Sequence, residues 1–162
     1  MVRADLRAVA ALCGQLGYPN TPRDVRARFL QIPRTPEQRL LVAVDELGEV
    51  VGWIHAGVTR TLESPAGVEI FGLVVDQQRR GGGIGAALVR AVERWAVSLG
   101  IRRLRLRSNV VRERAHRFYG RLGFRIVKTQ HAFEKRLRAP ARGRPARAAR
   151  AALAQRSNEE GR

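Results

Sequence analysis

Four glycines fall within five positions, Gly81, Gly82, Gly83 and Gly85, directly after Gln78-Arg79-Arg80 and ahead of an apolar helical pattern. Glycine adopts positive φ readily and lets backbone N–H groups approach a ligand without a Cβ in the way. At a helix start those N–H groups and the helix dipole make an anion site, so a phosphate ligand is the first expectation. A P-loop would close on Gly-Lys-Ser/Thr; this loop closes on Gly85-Ala86-Ala87, which removes that option. Gly81-x-Gly83-x-x-Ala86 formally fits a dinucleotide fingerprint. That motif, however, turns straight out of its strand and wants an acid at the end of the next one. Here Asp76–Arg80 intervene and the next strand ends Arg107-Ser108-Asn109. A second constellation lies downstream. Arg112, His116 and Tyr119 fall at i, i+4 and i+7 on one helical face, with Ala115, Phe118 and Leu122 on the other. The apolar face is read as core and the polar face as able to meet a ligand.

The elements that must position these residues follow from period and punctuation. Leu6, Val9, Leu12 and Leu16 form the stripe of a helix over 4–16. Thr21-Pro22-Arg23-Asp24 opens a second, with a threonine cap, proline at the first helical position and an acid three residues after the cap. Leu40–Val44 and Val50–His55 read as a hairpin, a loop is expected over 61–66, and Val68–Val75 reads as a third strand. The glycine loop then starts a long helix on which Ile84, Leu88, Val92, Trp95 and Leu99 recur, ended by Gly100. A strand over 101–107, a helix over about 112–122 and two last strands, 124–128 and 131–137, complete a mixed α/β domain.

Two stretches carry a family resemblance. LVVDQQRRGGGIGAALV, residues 73–89, resembles the cofactor motif of the GCN5-related N-acetyltransferase (GNAT) family, Arg/Gln-x-x-Gly-x-Gly/Ala, through Arg80-Gly81-Gly82-Gly83-Ile84-Gly85. RERAHRFYGRLGF, residues 112–124, resembles its second motif. The two stand in order, about 30 residues apart, and the resemblance covers roughly residues 4–137. It departs at two points. The family's usual first strand is reduced to Met1-Val2-Arg3, and Arg112 stands where the family often has asparagine.

The resemblance implies the GNAT acyltransferase fold, a twisted, mostly antiparallel sheet with splayed central strands flanked by helices. It implies acetyl-CoA as cosubstrate and N-acetylation of a primary amine by direct attack, without a metal. On this pattern the N–H groups of residues 81–85 hold the pyrophosphate, with Ile84, Ala86, Asn109 and Arg112 also on the cofactor and Arg80 adding charge. The pantetheine arm lies along Leu73, Val74 and Val75, and the Leu73 N–H polarises the thioester carbonyl. Tyr119 matches the family's tyrosine general acid; a phenol suits a thiolate leaving group. Glu69 occupies the place of a glutamate base, and strand parity puts it on the face of Phe71 and Leu73; an ion pair with an arginine is the competing role. The acceptor pocket is expected from the first two helices, residues 56–66 and the last two strands.

Composition bounds the rest. The 162 residues suit one domain, with 44% apolar and 28% charged residues reading as soluble and globular. No membrane span or signal peptide is read, and the expected compartment is the cytoplasm. Cys13 is the single cysteine and is read as a structural thiol. The net charge of +17 is uneven: residues 1–60 carry +2, 61–100 none, 101–138 +11 and the remainder +4. On the resemblance residues 1–138 are taken as the acetyltransferase domain, and by composition 139–162, with eight alanines and six arginines, as a basic tail without a core. The favoured partner is a small-molecule amine, with a protein amine second and a homodimer left open. The rival reading is a non-catalytic module binding nucleic acid through the basic region, against which aromatic residues for base stacking are sparse.

Overall fold

The structure, a computed structural model, describes residues 1–137; the expected basic tail lies outside the described residues. Residues 1–125 form one compact unit. It opens with a single turn over Arg3–Asp5 that runs into helix α1, Leu6–Gln15. Helix α2, Pro22–Gln31, begins at the expected cap: Thr21 accepts from the Asp24 N–H while the Asp24 carboxylate accepts from the Thr21 N–H.

The sheet follows in simple order. Strands β1 (Gln38–Val44), β2 (Val50–Thr61) and β3 (Ser64–Val75) pair antiparallel with their neighbours, and β4 (Leu104–Leu106) lies parallel to β3. Between β3 and β4 runs helix α3, Ile84–Ser98; helix α4, Glu113–Arg121, comes last. The expected loop over 61–66 is instead a hairpin turn, because Thr61 pairs with Ser64 and their hydroxyls meet at 2.9 Å. Pro65 is tolerated there because the register shifts between Thr59 and Thr61, the sort of irregularity that spares proline a ladder bond.

Two apolar layers sandwich the sheet. Ile54, Ala56, Val68 and Ile70 pack with Leu88, Val89, Val92 and Trp95 of α3. On the opposite face Leu6, Val9, Ala10 and Val25 of α1 and α2 cover Val42 and Trp53. The period of α3 drifts at its end, where Leu99 is exposed and Ala96 takes the buried place.

The two last strands expected over 124–128 and 131–137 do not form; residues 124–137 carry no regular secondary structure. Alternating apolar residues such as Ile126 and Phe133 produce the strand pattern, but a strand exists only through the ladder bonds of a neighbour, and these residues pair with none of the described strands.

Candidate active site

The glycine loop is held from outside and bare on the inside. Asp76 receives the Gln78 N–H at 2.8 Å and the Gln15 amide at 3.2 Å, and the Gln15 oxygen receives the Gln77 N–H at 3.0 Å. The end of α1 thus fixes the chain leaving β3. Arg79 pairs with Asp45 at 3.1 Å, and the Arg80 Nε donates to the Val75 carbonyl at 3.1 Å. Gly81 and Gly83 both have positive φ, +96° and +78°, and a Cβ at either would meet nothing within 4 Å. Gly83 is the N-cap of α3, and no side chain caps it. The first N–H groups of a 15-residue helix are therefore left for a ligand.

Gly85 serves packing. A Cβ there would come within 3.1 Å of the Phe118 ring, so the absence of a side chain lets α4 lie against the start of α3.

The sheet opens just where the loop ends. The β3–β4 ladder stops at Ile70 and Leu106, and beyond it the strands diverge around a cleft of about 900 Å³. One wall holds Leu73, Val74, Val75, Arg80, Gly81, Gly83, Ile84, Gly85 and Ala86; the other holds Asn109, Arg112 and Tyr119. Gly82 and Glu69 do not line it. Every other residue expected at the site from sequence is brought to this one cleft.

Tyr119 is half-buried between Phe118 and Phe124, edge-to-face with each at 5.0 and 5.5 Å. Burial pushes its phenol above the ordinary tyrosine range, and the Arg112 charge opposes that shift in smaller measure. Arg112 itself donates at 2.7 Å to the Leu16 carbonyl at the end of α1, so it joins α4 to the first helix. His116 bonds the Asn109 carbonyl at 3.0 Å and shapes the turn before α4.

Glu69 shares Phe71's side of the sheet, but not Leu73's. His55 pairs with Gly72 and Ala56 with Ile70, leaving Phe71 as the extra residue of a β-bulge. Past it the alternation inverts: Leu73 packs on the α3 side, while Val74 pairs with Trp53 on the α1 side. The simple period-2 expectation fails at that one inserted residue. The Glu69 carboxylate, 12% exposed, meets Arg107 Nε at 2.9 Å and stands opposite Arg105 in register.

A second, smaller pocket of about 450 Å³ lies beside the bulge, walled by Leu16, Tyr18, Asn20, Arg28, Trp53 and Phe71, among others. It shares Leu16, Tyr18, Phe71 and Gly72 with the cleft. The expected contributions from 56–66 and from two last strands are absent from its wall. Arg28, Asn20 and Gln15 carry no motif; the pocket wall reveals the first two, and the bonds of Gln15 to Asp76 and Gln77, more than 60 positions away, reveal the third.

Comparison with known proteins agrees with this geometry. The model of the acetyltransferase (GNAT) family matches residues 5–124. A mycothiol acetyltransferase of Propionibacterium freudenreichii subsp. shermanii is 36% identical over 109 residues, 67% of this chain and 34% of that protein. The chain thus spans about a third of the length of that relative. Among solved structures, a Bacillus halodurans protein solved as a tetramutant is 25% identical with a TM-score of 0.71, covering 83% of this chain and 97% of that one. An aminoglycoside N-acetyltransferase solved in complex with CoA has a TM-score of 0.73 at 20% identity, covering 85% and 92%, a likeness of fold. With the family model running from the turn before α1 to the residue that follows α4's closing turn, the chain belongs to the acetyltransferase (GNAT) family.

Proposed function

We propose that the protein transfers acetyl from acetyl-CoA to the primary amine of a small molecule, by direct attack with both substrates bound. The observation that carries this reading is the uncapped N-terminus of α3, with two positive-φ glycines, opening onto the same cleft as Tyr119. Acetyl-CoA would supply an acetyl group activated as a thioester. The residues present fit it: a bare anion cradle, an arginine at the cradle's edge, and a strand edge free of a partner beyond Ile70.

In this reading the N–H groups of residues 81–85 bind the pyrophosphate, and Arg80 faces its charge. Backbone of Leu73–Val75 orients the pantetheine arm, and the Leu73 N–H donates to the thioester carbonyl as negative charge grows there. Tyr119 gives its proton to the departing sulfur; its raised pKa keeps it protonated at neutral pH. Glu69, one alternate position from Phe71 on the same face, takes the proton of the acceptor ammonium through water while Arg107 holds the carboxylate in place.

Calorimetry of acetyl-CoA with the full chain tests the reading, beside Gly83→Glu and Arg80→Glu. Micromolar binding by the parent is expected, abolished in the first variant and weakened in the second. Because Gly83 sits at positive φ, thermal unfolding of both variants separates lost binding from lost fold. A folded parent that fails to bind acetyl-CoA would refute the proposal.

A further inference from the structure

The smaller pocket beside Phe71 and Gly72 has a chemical bias of its own. Its volume, about 450 Å³, is that of a small-ligand site. Tyr18, Trp53 and Phe71 give it aromatic walls, and its one charged side chain is Arg28. The guanidinium is held in place: its Nη1 donates to the Asn20 Oδ1 at 2.5 Å, and the Asn20 amide donates to the Tyr18 carbonyl at 2.8 Å. Among the described residues Arg28 forms no ion pair. The acid one turn before it, Asp24, is engaged by the backbone and hydroxyl of Thr21.

Trp53 contributes ring surface only: its indole N–H is closed off from water, and so from a ligand in the pocket, and has no partner among the described residues. No aspartate or glutamate lines this pocket. In the adjoining cleft six arginines stand against a single carboxylate, Glu113. Arg79 and Arg107 of these are held by Asp45 and Glu69, but the smaller pocket itself offers the further ammonium groups of a polycationic acceptor no carboxylate. An acceptor bearing an anion would meet a preset guanidinium.

We infer that the acceptor is an anionic amine, a compact and partly apolar molecule whose carboxylate or phosphate is taken by Arg28 in the pocket beside the β-bulge. The inference rests on the acetyl-transfer reading and narrows its substrate class. It sets this site apart from one built for polycationic acceptors.

Matched pairs of amines test it, with release of the CoA thiol as the assay. Phenylalanine is compared with phenethylamine, aminocaproate with hexylamine, and phosphoethanolamine with ethanolamine; spermidine serves as the polycation. Within at least one pair the anion-bearing member should have a kcat/KM roughly 10-fold or more above its partner without the anion and above spermidine, the scale of one charge-assisted contact. Which pairs respond separates carboxylate from phosphate. In Arg28→Gln the ratio within the pair should collapse toward one, and in Arg28→Glu it should invert, with thermal unfolding reporting the fold of each. Spermidine or the amines without an anion reacting as well as the anion-bearing ones would overturn the inference, as would a preference that survives Arg28→Gln. Acetyl-CoA bound with no amine in the panel acetylated also counts against it. Acetyl-CoA titrated into the same preparations tells the two failures apart: absent binding removes the transfer reading itself, whereas intact binding without anion preference removes only the acceptor class.

Discussion

Tyr119 is the residue whose surroundings most restrict its chemistry. Two aromatic rings flank the phenol, and burial raises its pKa above the usual value near 10. A raised pKa means the neutral form persists to higher pH, so Tyr119 keeps its proton across the physiological range, as the proposed acid role requires. Tyr119→Phe should lower kcat about 100-fold while calorimetry finds acetyl-CoA affinity close to the parent's. The pH–rate profile of the parent should show no alkaline loss attributable to this group until above the usual tyrosine pKa. An unchanged kcat in Tyr119→Phe would leave the phenol a packing role. His55 makes the opposite case. Burial lowers its pKa, it lies edge-to-face with Phe71 at 4.9 Å, and its Nε2 meets the Gln38 oxygen at 3.0 Å. The unfolded chain protonates this imidazole more readily than the folded one. Its contribution to stability is therefore complete above the unfolded pKa, about 6.5, and is lost as pH falls through the lower folded value. Denaturation midpoints taken between neutral pH and pH 5 should fall more steeply for the parent than for His55→Gln; parallel curves would count against the linkage. Motif and helical spacing make Tyr119 legible in sequence. The tie from Arg112 to Leu16 is not, because its partner is 96 positions away and neither residue type signals the other.

Among the elements, period and caps state the four α-helices of the described residues. The Thr21–Asp24 box, the stripe of α3 and Gly100 each state a local preference that the tertiary structure respects. Strands were harder, because a strand is completed by its neighbour. The hairpin over 61–64 extends through a stretch rich in turn residues, while the alternating pattern after Phe124 finds no partner among the described residues. The bulge at Phe71 is invisible in composition: it is a mismatch between β2 and β3, not a property of either. Its result is that Leu73 and Glu69 serve opposite faces, which parity alone gets wrong. The junction of α3 with α4 offers a test at this scale. Gly85→Val would drive a side chain to about the position where a Cβ already stands 3.1 Å from Phe118, with Val75 at 3.5 Å. It should destabilise the protein by about 1–3 kcal/mol, read from the denaturant midpoint. Gly82→Ala, whose Cβ has the Arg79 carbonyl at 3.9 Å as its nearest neighbour, should change that midpoint little. Equal midpoints for the two variants would mean that α4 shifts freely and that the contact with Gly85 is not a fixed one.

At the scale of the whole molecule the dominant fact is charge. The chain carries +17, of which +11 falls in residues 101–138, and arginines from that stretch and from the glycine loop converge on the cleft. A field of that sign raises the local concentration of any polyanion, a phosphate-rich cofactor and a nucleic acid alike. The two differ in how salt acts on them. Exposed charges lose their reach as the Debye length shrinks from about 14 Å to about 4 Å between roughly 0.05 and 0.5 M salt. In the proposed reading the loop N–H groups of residues 81–85 act at contact distance and are screened far less. Acetyl-CoA affinity should then fall by no more than roughly 10-fold over that range, with the remainder held by the cradle. A short RNA bound only through phosphates should lose on the order of 10³-fold or more, because each neutralised phosphate adds to the salt slope. Parallel calorimetric titrations of both ligands into the full chain at the two salt concentrations decide the matter. A shallow slope for acetyl-CoA assigns its affinity to the helix terminus and leaves the arginines as attraction at a distance. A slope for acetyl-CoA as steep as that for RNA would instead make the arginines the whole of the site, and the glycine loop would lose its role as a built cradle.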